Sequence, residues 1–444
     1  MRAAPGPEGS RLPRALLFAA VLLALLSLVR VITGADDITS SGTVGASLRL
    51  AVPIGLAALG GLWAERSGVV NIGLEGMMIL GTWTGAWAGY QWGPWAGVVA
   101  GIIGGALGGL LHAVATVTFG VDHIVSGVAI NILGLGLTQF LAGLLFDTGA
   151  AKALGGGPRQ SPPVDAIRTV SLPVLSGGEI FGWRSPDALG WLERRHWLLA
   201  SDLAGLLRGL TAGMSLLTLL AVALVPITFF VLWRTRFGLR VRSCGESPYA
   251  AESLGVSVYR MKYAAVIISG GCAGLAGAFL VTVASPLYQD GQTGGRGYIG
   301  LAAMIFGNWR PGGLAAGAML FGYSDAMNLR SGGESVHALL LFVAILLAGI
   351  AVWQWLRARR LAAHPRAADG VVDRRGVRGA YLAGAVAITV AALLLIWYWR
   401  SDTVPGELVS FTPHLTTLLV LSLASQRLRM PAADGLIYRR GEER

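Results

Sequence analysis

Between Gly76 and Val121 the sequence contains no Asp, Glu, Lys or Arg. A hydrocarbon core about 30 Å thick takes about 20 apolar residues per helix, so such a stretch suits a bilayer and little else. Similar blocks recur along the chain of 444 residues. Hydrophobic residues make up 54% and charged residues 13%, against roughly 25% charged in an average soluble domain. Mean hydropathy is +0.62. A soluble enzyme, a disordered chain and a secreted disulfide scaffold are excluded. The chain reads as an all-α, polytopic membrane protein.

The formal net charge of +11 comes from 35 Lys+Arg against 24 Asp+Glu. Helical membrane proteins gather basic residues in cytoplasmic loops, which explains the excess without nucleic acid. Lys152 and Lys262 are the lysines, and neither follows a glycine. The phosphate loop G-x-x-x-x-G-K-[ST] is therefore missing from this sequence, and no cofactor is assigned to the chain itself. Cys244 and Cys272 offer neither zinc-ligand spacing nor a disulfide framework. The first apolar run lacks a convincing small-residue cleavage site and is read as a retained helix.

The charge-limited runs are Ala15–Val29, Ser47–Ala64, Val69–Tyr90, Pro94–Phe119, Ile124–Phe146, Gly209–Trp233, Tyr263–Leu287, two short pieces at Tyr298–Gly307 and Gly312–Leu329, His337–Leu356, Gly379–Trp399 and Leu408–Ala424. Arg234, Arg236, Arg240 and Arg242 place the loop after Trp233 in the cytoplasm, and the arginines between Leu356 and Gly379 do the same for that loop. This orientation requires the two short pieces to enter and leave on one side. The first would reach only about 15 Å as a helix, and Asn308-Trp309-Arg310-Pro311-Gly312 breaks the chain between them. The expectation is about ten spans plus one re-entrant helix pair, in a bacterial plasma membrane, with both termini cytoplasmic.

The organisation expected is a cytoplasmic N-terminus with the first span (1–46), a first repeat core (47–146) and an external segment (147–208). A second half (209–335) carries a cytoplasmic coupling loop (234–262) and the re-entrant pair (298–329). An additional helical hairpin (336–400) and a last span with its tail (401–444) complete it. The external segment is either a dock for an external partner or a solvated loop. Ile72-Gly73-Leu74-Glu75-Gly76-Met77 recurs as Ile299-Gly300-Leu301-Ala302-Ala303-Met304. Each copy follows a Gly-rich span and a polar break, and the two spans run in opposite directions. Inverted repeats are a common transporter plan, and their broken segments point to the permeation path.

In the coupling loop Ser247 suits an N-cap, Pro248 the first helical position and Gly255 the exit. So short a helix is not stable alone in water, which implies a receiving groove on a partner. Tyr249-Ala250-Ala251-(three residues)-Gly255 resembles the E-A-A-x-x-x-G coupling loop of ATP-binding-cassette (ABC) importer permeases, with Tyr249 where the glutamate would be. Gly-Glu-Ser-Pro-Tyr-Ala-Ala-Glu-Ser-Leu-Gly is similar to the variant of the ribose and branched-chain amino acid permease superfamily. The run from Glu65 to Met78 (ERSGVVNIGLEGMM), Gly295–Ala303 and Pro431–Gly435 resemble its nucleoside branch, which works with a basic-membrane-protein-like binding lipoprotein. The resemblance covers most of Arg49–Asn328 and Leu408–Gly441; Asp147–Leu207 and Val336–Arg400 depart from the family's usual length.

That resemblance implies a permease subunit of an ATP-driven importer for purine or related nucleosides, moving substrate by alternating access. Its partners would be an ABC ATPase holding ATP and Mg, a second permease subunit, identical or homologous, and an external substrate-binding lipoprotein. Glu246, Ser247, Pro248, Tyr249, Ala250, Ala251, Glu252, Leu254 and Gly255 would form the ATPase coupling site, with Leu254 or Tyr249 as anchor. A simple-sugar importer is the nearest alternative. A stand-alone secondary transporter, of a different class, would need titratable groups deep in several spans, where Glu75 and Asp325 are the candidates.

Charged and amide side chains inside spans face a path or a partner. Asn71, Glu75, Asn131, Gln139 and Asp325 are the substrate-path candidates. Bracing of the helix break is the alternative for Asn71 and Glu75, and interhelical hydrogen bonding for Asn131 and Gln139. His112 reads as a packing residue, Asp122-His123 as a cap, and the Trp83–Trp95 aromatics as an interfacial belt. No metal-ligand spacing and no catalytic constellation appear.

Overall fold

The computed structural model describes residues 11–180, 182–330, 332–363, 374–405, 408 and 428–441. The expected last span at Leu408–Ala424 lies outside them, apart from Leu408. Sixteen helices and four two-residue strands are described. In order they are α1 (Arg11–Thr33), α2 (Ser41–Glu65), α3 (Leu74–Trp92), α4 (Pro94–Ala113, continued by a π-helical turn to Thr118) and α5 (His123–Leu145). Then come α6 (Gly149–Ala153), β1 (Thr169–Val170), β2 (Glu179–Ile180), β3 (Trp183–Arg184), α7 (Ala188–Glu193), α8 (Ala200–Gly209), β4 (Met214–Ser215) and α9 (Leu216–Arg234). The rest are α10 (Arg236–Glu246), α11 (Pro248–Ser253), α12 (Val258–Phe279, continued to Ala284), α13 (Arg296–Phe306), α14 (Pro311–Arg330), α15 (Gly332–Ala363) and α16 (Arg374–Arg400).

Among the described residues seven helices are long and apolar enough to cross a bilayer: α2, α4, α5, α9, α12, α15 and α16. The ten expected spans counted two further runs differently. Val69–Tyr90 is not one continuous helix, because residues 66–73 are irregular and α3 begins only at Leu74. In α1 the qualifying apolar part is the shorter Ala20–Thr33. The two short pieces also differ from each other. Pro311 opens α14 instead of breaking the chain, as proline does at a first helical position. The break shrinks to residues 307–310, and α14 runs for 20 residues, roughly 30 Å.

Side chains on polar residues set several helix starts. Ser40 accepts the Thr43 N–H at α2, Asp122 those of Ile124 and Val125 at α5, Ser215 that of Thr218 at α9, and Thr235 that of Gly238 at α10. Each satisfies an orphan backbone donor of the first turn.

The centre is α2, α3, α4 and α12, packed through glycines. Along α4, Gly97, Gly101, Gly105 and Gly109 recur every four residues and meet Gly85 and Gly89 of α3, Ala278 and Gly274 of α12, and Gly270 of α12. A Cβ on Gly105 would run into the Gly270 carbonyl, and one on Gly274 into the Gly101 carbonyl. In a bilayer, where lipid is as apolar as leucine, such close backbone approach supplies the packing attraction between helices. Met77, Met78, Leu59, Leu62 and Phe279 fill the remaining space at no more than 1% exposure.

The chain after α12 turns back into the bundle through residues 285–295 before α13 starts. Gly300 of α13 lies against Ile54 and Ala57 in the middle of α2, and Trp309 reaches Glu65 at the end of α2. From there α14 returns along α2, with Ala318 at Gly55, Gly322 at Ala51 and Arg330 at Gly42. The α13–α14 pair thus starts and finishes toward one end of the molecule. Segment 147–215 caps that end: β1 pairs with β4 in the register Thr169↔Ser215, and Arg208 bonds Asp187, Glu193 and the Ser41 hydroxyl.

Overpacking of a filled interior typically costs about 1–3 kcal/mol, more where backbone must move. Gly105→Leu should therefore abolish the monodisperse peak in size-exclusion chromatography of the detergent-extracted protein. Gly136→Leu, at a position with open space around it, should leave that peak in place.

Candidate functional site: two broken segments and a strapped helix

Residues 66–73 lie irregularly in the bundle and are largely buried, so their N–H and C=O groups need partners. The sequence supplies those partners from distant helices. His123 Nδ1 accepts the Val70 N–H at 3.3 Å, and His112 Nε2 lies 3.0 Å from the Val70 carbonyl while its Nδ1 lies 2.9 Å from the Ser126 hydroxyl. Asn131 donates to the Ile72 carbonyl at 3.1 Å and accepts the Gly76 N–H at 2.7 Å. Lys262 reaches toward the Gly68 carbonyl at 3.4 Å. Asn71 turns the other way and donates to the Ser269 hydroxyl at 2.9 Å, its Oδ1 buried without a donor.

The second broken segment meets the first at Glu75. One carboxylate oxygen accepts the Gly295 N–H at 2.9 Å and the other the Gly297 N–H at 2.7 Å. Glu75 thus caps α13, whose N-terminal N–H groups have no partner within the helix. A charge at mid-membrane costs about 2.5–3.5 kcal/mol on insertion scales. Two hydrogen bonds to a charged group contribute about 1.5–3 kcal/mol each, and the helix dipole adds to them, so the cap offsets the burial. Gly295 has φ +77, a left-handed turn open to glycine at no steric cost, which aims its N–H at the carboxylate.

Around this contact the structure gathers three of the five path candidates. Asn131 also donates to the Tyr298 hydroxyl at 2.9 Å. Arg296, the first residue of α13, lies 3.8 Å from Asp325 of α14 and donates to the Gln292 and Thr293 carbonyls. Its Nε is buried without an acceptor. Tyr298 is 47% exposed beside these groups, so the cluster opens to the surface there. Glu75, Asn131 and Asp325 touch this α13 start directly, while Asn71 is bound to Ser269 of α12. Gln139 is not part of the cluster: it is half-buried further along α5. Arg296 and Tyr298 went unrecognised in the sequence, although an arginine and a tyrosine at the start of an apolar piece were a visible signal.

The aromatic group near residues 83–95 divides. Trp92 and Trp95 are 64% and 48% exposed, as an interfacial belt requires. Trp83 is buried and stacks against Trp87 and Phe146, with Tyr288 behind Phe146. Among the described residues no group of three His, Cys, Asp or Glu side chains is placed to hold a metal ion.

The opposite end carries residues 234–262, the loop expected to couple to a partner. Residues 236–246 form a second helix, α10, with Gly238, Val241, Cys244 and Gly245 on its buried side. Burial pushes the Cys244 thiol up to about 11, which keeps it unreactive. Ser247 precedes α11 without a side-chain capping bond, Pro248 occupies its first position, and Gly255 exits with φ +80. Pro248 and Ala251 are buried, Tyr249 and Glu252 half-buried, and Glu246, Ser247, Ala250 and Gly255 exposed. Leu254 is 84% exposed. Tyr249 therefore does not project outward as an anchor: its ring packs on Tyr438 at 5.2 Å.

Residues 428–441 strap this helix to the bundle. The Ala433 N–H donates to the Gly245 carbonyl at 2.8 Å, the Arg440 guanidinium to Glu252 at 3.1 Å, and the Arg429 N–H to Asn308 at 2.7 Å. Tyr438 also packs on Tyr259. Trp309 donates its indole N–H to Glu65 at 2.5 Å, and Arg66 donates to the Trp309 carbonyl at 2.6 Å. The Asp434 carboxyl is buried against Glu65. Burial pushes the Asp434 carboxyl up to about 6, against the opposing pull of Glu65, Lys262 and Arg66.

The family described as the permease component of the branched-chain amino acid transport system matches residues 43–351. The guanosine ABC transporter permease protein NupQ of Bacillus subtilis is 36% identical over 293 residues, covering 64% of this chain and 81% of the relative. A Haloferax volcanii protein provisionally named as the glucose ABC transporter permease protein TsgC13 is 35% identical, over 66% of this chain and 78% of its own. The nucleoside ABC transporter permease protein NupC of Lactococcus lactis is 32% identical, over 63% and 80%. No solved structure matches the chain. With the family match spanning both broken segments and the coupling helix, this chain belongs to the branched-chain amino acid transport system permease family.

Proposed function

We propose that the chain is the membrane-embedded permease subunit of an ATP-driven importer for purine or related nucleosides. The observation that carries this reading is a short helix, α11, held rigidly on the bundle with one large apolar side chain, Leu254, left bare. A partner ATPase, which would bind ATP and Mg, would receive that side chain in its groove. The names of the relatives NupQ and NupC support a nucleoside substrate; the name of TsgC13 supports a simple sugar as the second reading. The chain would work beside a second permease subunit, identical or homologous, and an external binding lipoprotein. The α10–α11 arginines support a cytoplasmic position for that end of the molecule in the bacterial plasma membrane, with both termini on the same side.

The substrate path is proposed to run beside the start of α13, bordered by Glu75, Asn131 and Asp325, with Asn71 on Ser269 of α12 and Gln139 along α5. Half-helix starts are favourable places for polar ligands because their N–H groups face the path. Alternating access would follow when motion of α11 passes through the strap at residues 428–441 to the break at 307–310, and so to α13.

Whole-cell uptake of labelled guanosine tests the assignment: a gene deletion should abolish it, and excess ribose should not compete in the wild type. Uptake unchanged in the deletion would overturn the nucleoside reading. Leu254→Glu should cut uptake at least roughly tenfold, the effect of losing about 1.4 kcal/mol of a binding contact, with membrane insertion unchanged. Ala251→Glu is a poorer probe, because Ala251 is buried against Tyr438 and Cys244.

Glu75→Ala leaves two buried N–H groups without an acceptor, a loss of about 1–3 kcal/mol for each. It should lower the melting temperature and the maximal uptake rate. A rise in KM at unchanged melting temperature would instead mark Glu75 as a substrate contact and not a brace.

Asp434 gives the strap a pH dependence of definite sign. Its docked carboxyl titrates near 6 and a free aspartate near about 3.9, so docking takes up a proton between those values. The strap should hold tightest below about pH 4 and loosen as pH rises through about 6. Hydrogen-exchange protection of the Ala433 amide, corrected for intrinsic rate, should follow that profile in the wild type and vary less with pH in Asp434→Asn.

A further inference from the structure

The segment between α7 and α9 exposes more apolar surface than a solvated loop should. Helix α8 buries Ser201, Asp202, Ala204, Gly205 and Gly209 on one face. On the other, Leu203, Leu207 and Leu210 are 47%, 44% and 39% exposed, spaced four and three residues apart as one stripe of a helix. Trp197, Leu198 and Leu199 extend that stripe at 41–56% exposure. Contiguous bare apolar surface of this kind marks an interaction site.

The way α8 is fastened indicates what covers it. Asp202, 1% exposed, accepts the Ser27 hydroxyl at 2.5 Å and the Thr39 hydroxyl at 2.5 Å, and Arg30 Nε lies 2.8 Å from it. The Leu199 N–H donates to the same Ser27 hydroxyl at 2.9 Å. Ser27 lies six residues before Thr33, the end of α1, hence roughly 9 Å inside that end. Helix α8 is consequently held at the depth of apolar residues of α1 and not above them. At that depth α1 leaves Leu28, Val31 and Ile32 46–59% exposed within its apolar part Ala20–Thr33. The stripe on α8 adds to that apolar surface.

The flanking residues fit the same surroundings. Trp191 is half exposed, Arg195 stacks over its ring at 4.6 Å, and Arg194 and Arg195 are both exposed. Tryptophan collects at membrane interfaces, and arginine stems reach from there to the headgroups. A helix lying in the interface with leucines below and cations above sinks its apolar face about 5–10 Å into the headgroup boundary.

We propose that residues 191–210 form an interfacial anchor whose Leu203/Leu207 face lies in the lipid bilayer at the end of the molecule opposite α11. The proposal is independent of which substrate is carried. Spin labels at Leu203→Cys and Leu207→Cys, in a Cys244→Ala/Cys272→Ala background reconstituted in phosphatidylcholine–phosphatidylglycerol nanodiscs, test it by collision with oxygen and with a water-soluble nickel chelate. The expected result is that both labels meet oxygen far more often than nickel, while a label at Leu254→Cys shows the reverse preference. Labels at 203 and 207 that meet nickel as readily as the one at 254 would overturn the proposal in favour of a solvated segment. Labels shielded from both reagents would overturn it in favour of a protein partner or a second copy of the chain.

Discussion

The fold rests on a demand that the bilayer makes of any chain interrupted within it: each backbone N–H and C=O there must find a partner inside the protein. Residues 66–73 interrupt the bundle, and residues 285–295, in part exposed and paired with residues 160–164, lead back to the start of α13. His112, His123 and Asn131 serve the first, and Glu75 serves the start of α13 beyond the second. Glu75 itself stands at the start of α3, just past the first break. The carboxylate at the start of α3 therefore caps the half-helix α13, whereas the first break draws its partners from α4, α5 and α12. A side chain that costs free energy to bury becomes favourable only in the assembled pair.

Such capping needs the backbones to come close, and the glycines allow it. Gly76 lies against Ile130 and Asn131, Gly297 against the Glu75 backbone, and Gly300 against Ala57 and Ala58. Any side chain at these positions would push the donors out of reach of their acceptors. Glycine in a helix interior costs about 0.5–1 kcal/mol relative to alanine. The chain accepts that cost along α4 and α12, where contact between backbones replaces the hydrophobic drive that lipid does not provide. Packing and hydrogen bonding here are one arrangement, since removing either displaces the other.

Much of this was legible in the sequence, for reasons particular to each element. Charge-free blocks gave the spans because bilayer thickness imposes their length. Pro248 and Gly255 marked α11 because their backbone preferences are local. The breaks at 66–73 and 307–310 carried Gly, Arg and Asn residues that a continuous apolar helix disfavours. The hexapeptide repeat pointed to the right regions but not the right register: α3 begins at Leu74, the third residue of its copy, whereas α13 begins at Arg296, three residues before Ile299. What stayed hidden was non-local. The arginines of α10 read as a loop because four charges masked a buried stripe of Gly238, Val241 and Cys244. Nothing near Asp434 in sequence announces that it sits against Glu65, and nothing near Asp202 announces Ser27 and Arg30.

The strap at 428–441 bears on how force would pass through the molecule. Helix α11 is too short to be stable by itself, and its buried side is completed by Tyr438 together with Cys244 and Val258. The same strap touches Asn308 at the break between α13 and α14, while Asp434 meets Glu65 at the foot of α2. One strand of chain thus links the coupling helix, the end of α2 and the break that feeds α13. A push on Leu254 cannot displace α11 alone, because the ring contacts of Tyr438 and the Ala433–Gly245 hydrogen bond move with it. On the proposed coupling, the half-helix capped by Glu75 would be the first interior element in line, and the cap that stabilises it here would be the contact that its motion rearranges.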